Sequence, residues 1–188
     1  MIPAFIFGEA SGAHFNPALT IALAFEGSFS WSMVLGYIIA QFLGAFLGAV
    51  LVYILFKDQF DATEDKATKL GVFSTSPAIY NIGRNILSEV VGTFVLVFSI
   101  KAIGNVSGIA GGFDKFLVFG IIVAIGMSLG GLTGYALNPA RDIAPRIAHS
   151  LLPIKDKGSS HWDYAVVTLV SPIIGAVLAV VVYNLIPW

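Results

Sequence analysis

Two stretches of the chain share one arrangement of residues. Gly12-Ala13-His14-Phe15-Asn16-Pro17-Ala18 and Gly134-Tyr135-Ala136-Leu137-Asn138-Pro139-Ala140 both read G-x-x-x-N-P-A. Asn is a good N-cap and Pro suits the first helical position, so each Asn-Pro predicts a helix start. A helix N-terminus carries roughly half a positive charge. Two such tips facing each other in a low-dielectric interior would repel cations, hydronium included. The Asn16 and Asn138 amides could then donate hydrogen bonds to an uncharged solute. One Asn-Pro alone would be no more than a helix start, but two in matching contexts point to a paired device.

Three charged residues follow the second copy of this pattern, and a fourth lies in an apolar run. Arg141 falls in the first turn of the second predicted helix, where a cation adds to an already positive end. Such a choice is locally unfavourable, which suits a side chain that donates hydrogen bonds to solute hydroxyls and deepens the barrier to cations. Asp142 lies four residues before Arg146, so the two can pair, and Asp142 also suits the helix N-terminus. Both are read as structural support. Glu89 is an acid near the start of an apolar run, and intramembrane acids are costly and usually functional. On residue type alone a proton relay is one reading of it.

The elements that must position these residues are membrane spans. Apolar residues make up 57% of the 188-residue chain and charged residues 11%, against roughly 25% charged in an average soluble domain. A spanning helix needs about 20 mainly apolar residues. Trp31–Phe56, Ile86–Ile103, Phe116–Leu132 and Tyr164–Ile186 qualify, while Met1–Phe7 is apolar but too short. Pro17–Glu26 and Pro139–Leu152 are about half a membrane long and read as re-entrant half-helices. Interrupted segments at matching places in two halves point to an inverted repeat with its site at the midplane. Irregular backbone at that depth must line a watery cavity or be buried in protein.

The expected fold is therefore an all-α membrane protein, a helical bundle of one channel domain over residues 1–188. Residues 1–56 form an incomplete first repeat, 57–85 a polar connecting loop and 86–188 a complete second repeat. Asn138 lies 49 residues after Glu89, whereas Asn16 has only 15 residues ahead of it. Internal symmetry thus predicts that the first span and most of the second, at least 34 residues, are absent from the first repeat. With a net charge of −1 nothing suggests nucleic-acid binding. With no cysteine and three scattered histidines, no metal site is expected. No nucleophile–base pair or phosphate loop stands out, so neither enzyme activity nor a cofactor is expected.

Ser11–Ala18 and Gly134–Asp142 resemble the two signature loops of the aquaporin superfamily, the major intrinsic proteins. Glu89-Val90-Val91-Gly92-Thr93 is similar to the E-x-x-G-T that opens each of its halves. Within the family, Asp142, Arg146, Pro172-Ile173, Phe56, Gly126 and the 57–84 loop resemble glycerol facilitators rather than water-selective channels. Tyr135 stands where the best-known facilitators have Phe.

The resemblance implies a passive channel for glycerol and other small neutral solutes, with water a further candidate. It also implies a homotetramer in the cell membrane. The backbone carbonyls of Gly12, Ala13, His14 and Phe15, and of Gly134, Tyr135, Ala136 and Leu137, would form a ladder replacing part of the solute's hydration. Arg141, Tyr135 and Gly126 would form the selectivity filter, Tyr135 as apolar wall and Gly126 as open space. Glu89 would accept N–H bonds from a re-entrant loop. Two alternatives remain open on the sequence: a non-conducting truncated protein and a proton-coupled transporter using Glu89. The family topology would also put eight of the ten Lys and Arg residues in the outer stretches 57–84 and 141–163. The positive-inside rule favours the opposite orientation.

Overall fold

The computed structural model describes residues 2–187, and Met1 of the short apolar opening lies outside that range. Helices and turns account for the ordered elements, and no strand occurs among the described residues. In chain order they are α1 (Ile2–Ser11), α2 (Pro17–Phe25), α3 (Trp31–Leu55), α4 (Lys57–Ala62) and α5 (Lys66–Gly71). They continue with α6 (Ile82–Gly104), α7 (Phe113–Thr133), α8 (Pro139–Leu151) and, after a 3-10 turn at Trp162–Tyr164, α9 (Ala165–Leu185). Four are long and apolar enough to cross a membrane: α3, α6, α7 and the turn with α9, with mean hydropathies of 2.0 to 2.7.

The half-helices begin where Asn-Pro predicts. Asn16 caps α2 with its side chain accepting from the Ala18 N–H, and Asn138 caps α8 by accepting from Ala140 and Arg141. Their lengths, 9 and 13 residues, rise about 14 Å and 20 Å, so end to end they amount to one bilayer crossing of about 30 Å.

Each half-helix packs chiefly on the long span of the opposite half: α2 on α9, and α8 on α3. That exchange ties the two halves together. Ala18, Leu19 and Ala22 of α2 share a core with Val97 of α6 and with Ala176, Ala179 and Val180 of α9. Among the described residues the most extensive helix pairing is α6 with α9. Gly175 permits it, because a Cβ there would collide with the Val90 carbonyl. At Gly44 and Gly48 on α3, by contrast, a Cβ would meet nothing within 4 Å.

The 57–85 segment is not a plain loop. It holds α4 and α5, each of 6 residues, and its last residues already belong to α6. Elements this short lack the turns over which apolar periodicity becomes visible. Asp65 caps α5 by accepting from the Ala67 and Thr68 N–H groups, α4 follows α3 with no side-chain cap, and Asn81 caps α6 by accepting from Arg84. Phe60 and Phe73 anchor the segment against Ala49 and Tyr53 of α3 and Ala148 of α8.

Candidate functional site

The two Asn-Pro tips are joined reciprocally. Asn16 Nδ2 donates to the Leu137 carbonyl at 2.8 Å, and Asn138 Nδ2 donates to the Phe15 carbonyl at 2.9 Å. Each side-chain oxygen faces its own helix, and one N–H of each amide bridges to the opposite loop. The second N–H of each amide remains for another acceptor. Pro17, Ala18, Pro139 and Ala140 lie buried behind the tips.

The backbone before each Asn is unusual. Gly12 and Ala13 have φ of +67° and +56°, and Gly134 and Tyr135 repeat this at +76° and +43°. Leu137 adds a third left-handed residue at +54° in the second loop. Non-glycine residues adopt such φ at a cost, so surrounding contacts must hold them there. For the second loop the holder is Glu89: its two carboxylate oxygens accept from the Ala136 and Leu137 N–H groups, both at 2.9 Å. Glu89 is fully buried. For the first loop the holder is Gln41, whose Nε2 donates to the His14 carbonyl at 2.7 Å and to Thr20 Oγ1 at 2.9 Å. His14 pairs through Nδ1 with the same Thr20 hydroxyl and stacks on Tyr37.

These bonds leave a selected set of carbonyls unused. His14, Phe15 and Leu137 have theirs engaged by Gln41, Asn138 and Asn16. The carbonyls of Gly12, Ala13, Gly134, Tyr135 and Ala136 accept no hydrogen bond among the described residues.

Arg141 lies in the first turn of α8, exposed, with its guanidinium carbon 6.0 Å from the centroid of the Tyr135 ring. Both line a cavity of about 810 Å³ together with Gly134, Asp65, His161 and Tyr164. At this mouth the Thr68 hydroxyl and N–H hold the Asp65 carboxyl below the usual carboxylate range. Gly126 lies against the Tyr135 ring rather than at the cavity, and its room is not empty: a Cβ there would stand 3.1 Å from Cζ of Tyr135.

Asp142 and Arg146 face away from this cavity and form a buried ion pair at 2.7 Å. Asp142 also accepts from the N–H and hydroxyl of Thr75 and from the Thr168 hydroxyl. Arg146 donates to the carbonyls of Thr75, Ser160 and His161. The pair thus binds α8 to the segment before α6, to the turn before α9 and to α9 itself. Sequence spacing exposes the pair but not Thr20, Thr75, Thr168 or Ser160. A threonine in an apolar run was the one available signal for Thr168.

A family model described as Major intrinsic protein matches residues 1–183. The chain is 55% identical over 181 residues to a glycerol uptake facilitator protein of Bacillus subtilis, covering 96% of this chain and 66% of that one. It is 50% identical over 184 residues to a glycerol uptake facilitator protein of Streptococcus pneumoniae, covering 98% and 78%. The X-ray structure of the aquaglyceroporin from Plasmodium falciparum matches with a TM-score of 0.86 at 29% identity, covering 95% of this chain and 74% of that one. The chain therefore spans 66% to 78% of the length of these bacterial relatives. An all-helical, multi-pass integral membrane protein with two converging half-helices, it belongs to the major intrinsic protein family.

Proposed function

We propose that the chain is a passive channel for glycerol and similar small neutral solutes, with water as a second permeant. The observation that carries this reading is the reciprocal pairing of Asn16 with the Leu137 carbonyl and Asn138 with the Phe15 carbonyl. It brings two helix N-termini together inside the protein, where their partial positive charges oppose a passing cation.

A polyol has hydroxyls on one flank and carbon on the other. The free carbonyls of Gly134, Tyr135 and Ala136 accept from its hydroxyls on the Arg141 side, and those of Gly12 and Ala13 do so beyond the tips. The remaining N–H of each Asn amide donates to it, as does the guanidinium of Arg141. The Tyr135 ring offers the apolar wall. A hydronium ion gains the same carbonyls but meets Arg141 and two positive helix tips.

Glu89 supports the passive reading over a proton-coupled one. Both of its oxygens are bound to backbone N–H groups, so protonating it would break a clamp rather than start a relay. The family resemblance carries assembly as a homotetramer in the cell membrane, in which the exposed Leu35, Leu43, Leu47 and Leu51 of α3 would face lipid or a further copy.

Light scattering on proteoliposomes under a glycerol gradient tests the reading. Faster swelling than in protein-free vesicles, insensitive to collapse of the proton gradient, is the expected result. Arg141→Ala should weaken discrimination among solutes, and Asn138→Asp should admit cations. Swelling no faster than the empty vesicles would leave the non-conducting alternative standing. Uphill uptake abolished by an uncoupler would replace the channel with a transporter.

A further inference from the structure

The Tyr135 ring is seated in a notch cut by two glycines. Gly126 and Gly130 stand about one turn apart on α7 and face the ring from the same side. A Cβ at Gly126 would lie 3.1 Å from Cζ and 3.3 Å from Oη, and one at Gly130 would lie 2.9 Å from Cδ1 and 3.2 Å from Cε1. The neighbouring Gly131 has nothing within 4 Å. The ring, and neither glycine, lines the cavity shared with Arg141. It therefore stands between α7 and the lane, and anything that lifts it off α7 moves it into the lane.

The backbone cannot absorb such a push. Tyr135 already sits at φ +43°, and Glu89 holds the next two N–H groups. The side chain must yield instead.

We infer that Gly130 is a specificity-determining residue: with Gly126 it sets how far Tyr135 stands back into α7, and hence the largest solute that passes Arg141. This rests on the channel reading above. Gly130 touches no solute and acts as a positioning residue through the ring. Sequence spacing singles out Gly126 alone, because only the ring's orientation reveals that Gly130 carries the other half of the seat.

Glycerol and water permeabilities of reconstituted wild type, Gly130→Ala, Gly131→Ala, Tyr135→Ala and Gly130→Ala/Tyr135→Ala form the test. Gly130→Ala should lower the glycerol-to-water ratio on the order of tenfold, the scale of one added methyl in a close-fitting site. Gly131→Ala should leave the ratio unchanged, and Gly130→Ala should have no further effect once Tyr135 is Ala. Equal effects of the two glycine variants, or an effect that persists without the ring, would overturn the inference. The channel reading fails separately, if the wild type passes no glycerol. The seat is then read in detergent from the 19F resonance of 3-fluorotyrosine placed at position 135. That resonance should move in Gly130→Ala and stay in Gly131→Ala, and a resonance that moves in neither overturns the seat itself.

Discussion

The two re-entrant loops carry one motif and are held by different chemistry. An anionic carboxylate clamps the second, from Glu89 to the consecutive N–H groups of Ala136 and Leu137. A neutral amide holds the first, from Gln41 to the His14 carbonyl, and the N–H groups of His14 and Phe15 meet no acceptor among the described residues. Their half-helices differ in the same sense. Uncharged α2 is seated by small apolar contacts, while α8 carries the buried Asp142–Arg146 pair and its ring of partners. Hydrogen bonds to ionised groups are roughly twice as strong as neutral ones, and burial strengthens them further. The more rigidly held loop is the one that bears Tyr135 and Arg141. Asn-Pro thus determines where a half-helix starts, and the neighbours determine how firmly it stays.

The largest expected effect tests the charged cluster. Arg146→Ala leaves Asp142 buried with only Thr75 and Thr168 as partners. Breaking a buried pair in this way costs about 3–5 kcal/mol, so the detergent-solubilised protein should unfold at a clearly lower temperature. An unfolding midpoint equal to that of the wild type would mean that apolar contacts hold α8, as they hold α2, and the contrast between the halves would disappear.

A finer contrast sets Glu89→Gln against Gln41→Met. Gln at 89 keeps one acceptor but turns an NH2 group toward a backbone N–H. The loss should be about 1.5–3 kcal/mol, the range for hydrogen bonds to a charged group. Met at 41 removes two neutral hydrogen bonds, and it also removes Gln41 Oε1, which is buried without a partner. These effects oppose each other, so the net loss should be about 1 kcal/mol or less. Unfolding midpoints measured side by side give the order, and a costlier Gln41→Met would reverse the assignment of the firmer loop.

What the sequence could reveal follows from the range of each interaction. Both half-helix starts are local, since Asn caps and Pro opens, and they fall where the residues predict. The four spans are legible because apolar runs of this length have few other uses. Asp142 and Arg146 are legible as a pair because a helix brings residues four apart together. Their partners Thr75, Ser160 and Thr168 come from three other segments, and no spacing encodes that meeting. The carbonyl ladder reads from sequence as eight equivalent groups, yet His14, Phe15 and Leu137 are already bonded. Gly126 reads as open space because a missing side chain cannot say which neighbour enters, and the neighbour is Tyr135. The short helices α4 and α5 escaped because six residues span fewer than two turns.

The smallest effect lies at the mouth, where a charged support stands in water rather than in the protein. The Thr68 hydroxyl, and after it the Thr68 N–H, hold the Asp65 carboxyl below its ordinary value. A carboxyl held low in the folded state stabilises the fold above its unfolded value of about 3.9. That stabilisation fades as pH falls through the lower folded value. Protection of the Ala67 and Thr68 amides from hydrogen exchange should therefore weaken below about pH 4 in the wild type. Asp65→Asn keeps an N-cap oxygen without a titrating group, so comparison at each pH cancels the intrinsic exchange rate. The wild-type advantage should be present at pH near neutral and lost on acidification. A ratio that stays flat would mean that α5 is held by Phe73 and Leu70 packing rather than by its cap. Either way the effect should be far smaller than at Asp142, because Asp65 is exposed and water competes for every bond it makes, whereas Asp142 of α8 is fully buried.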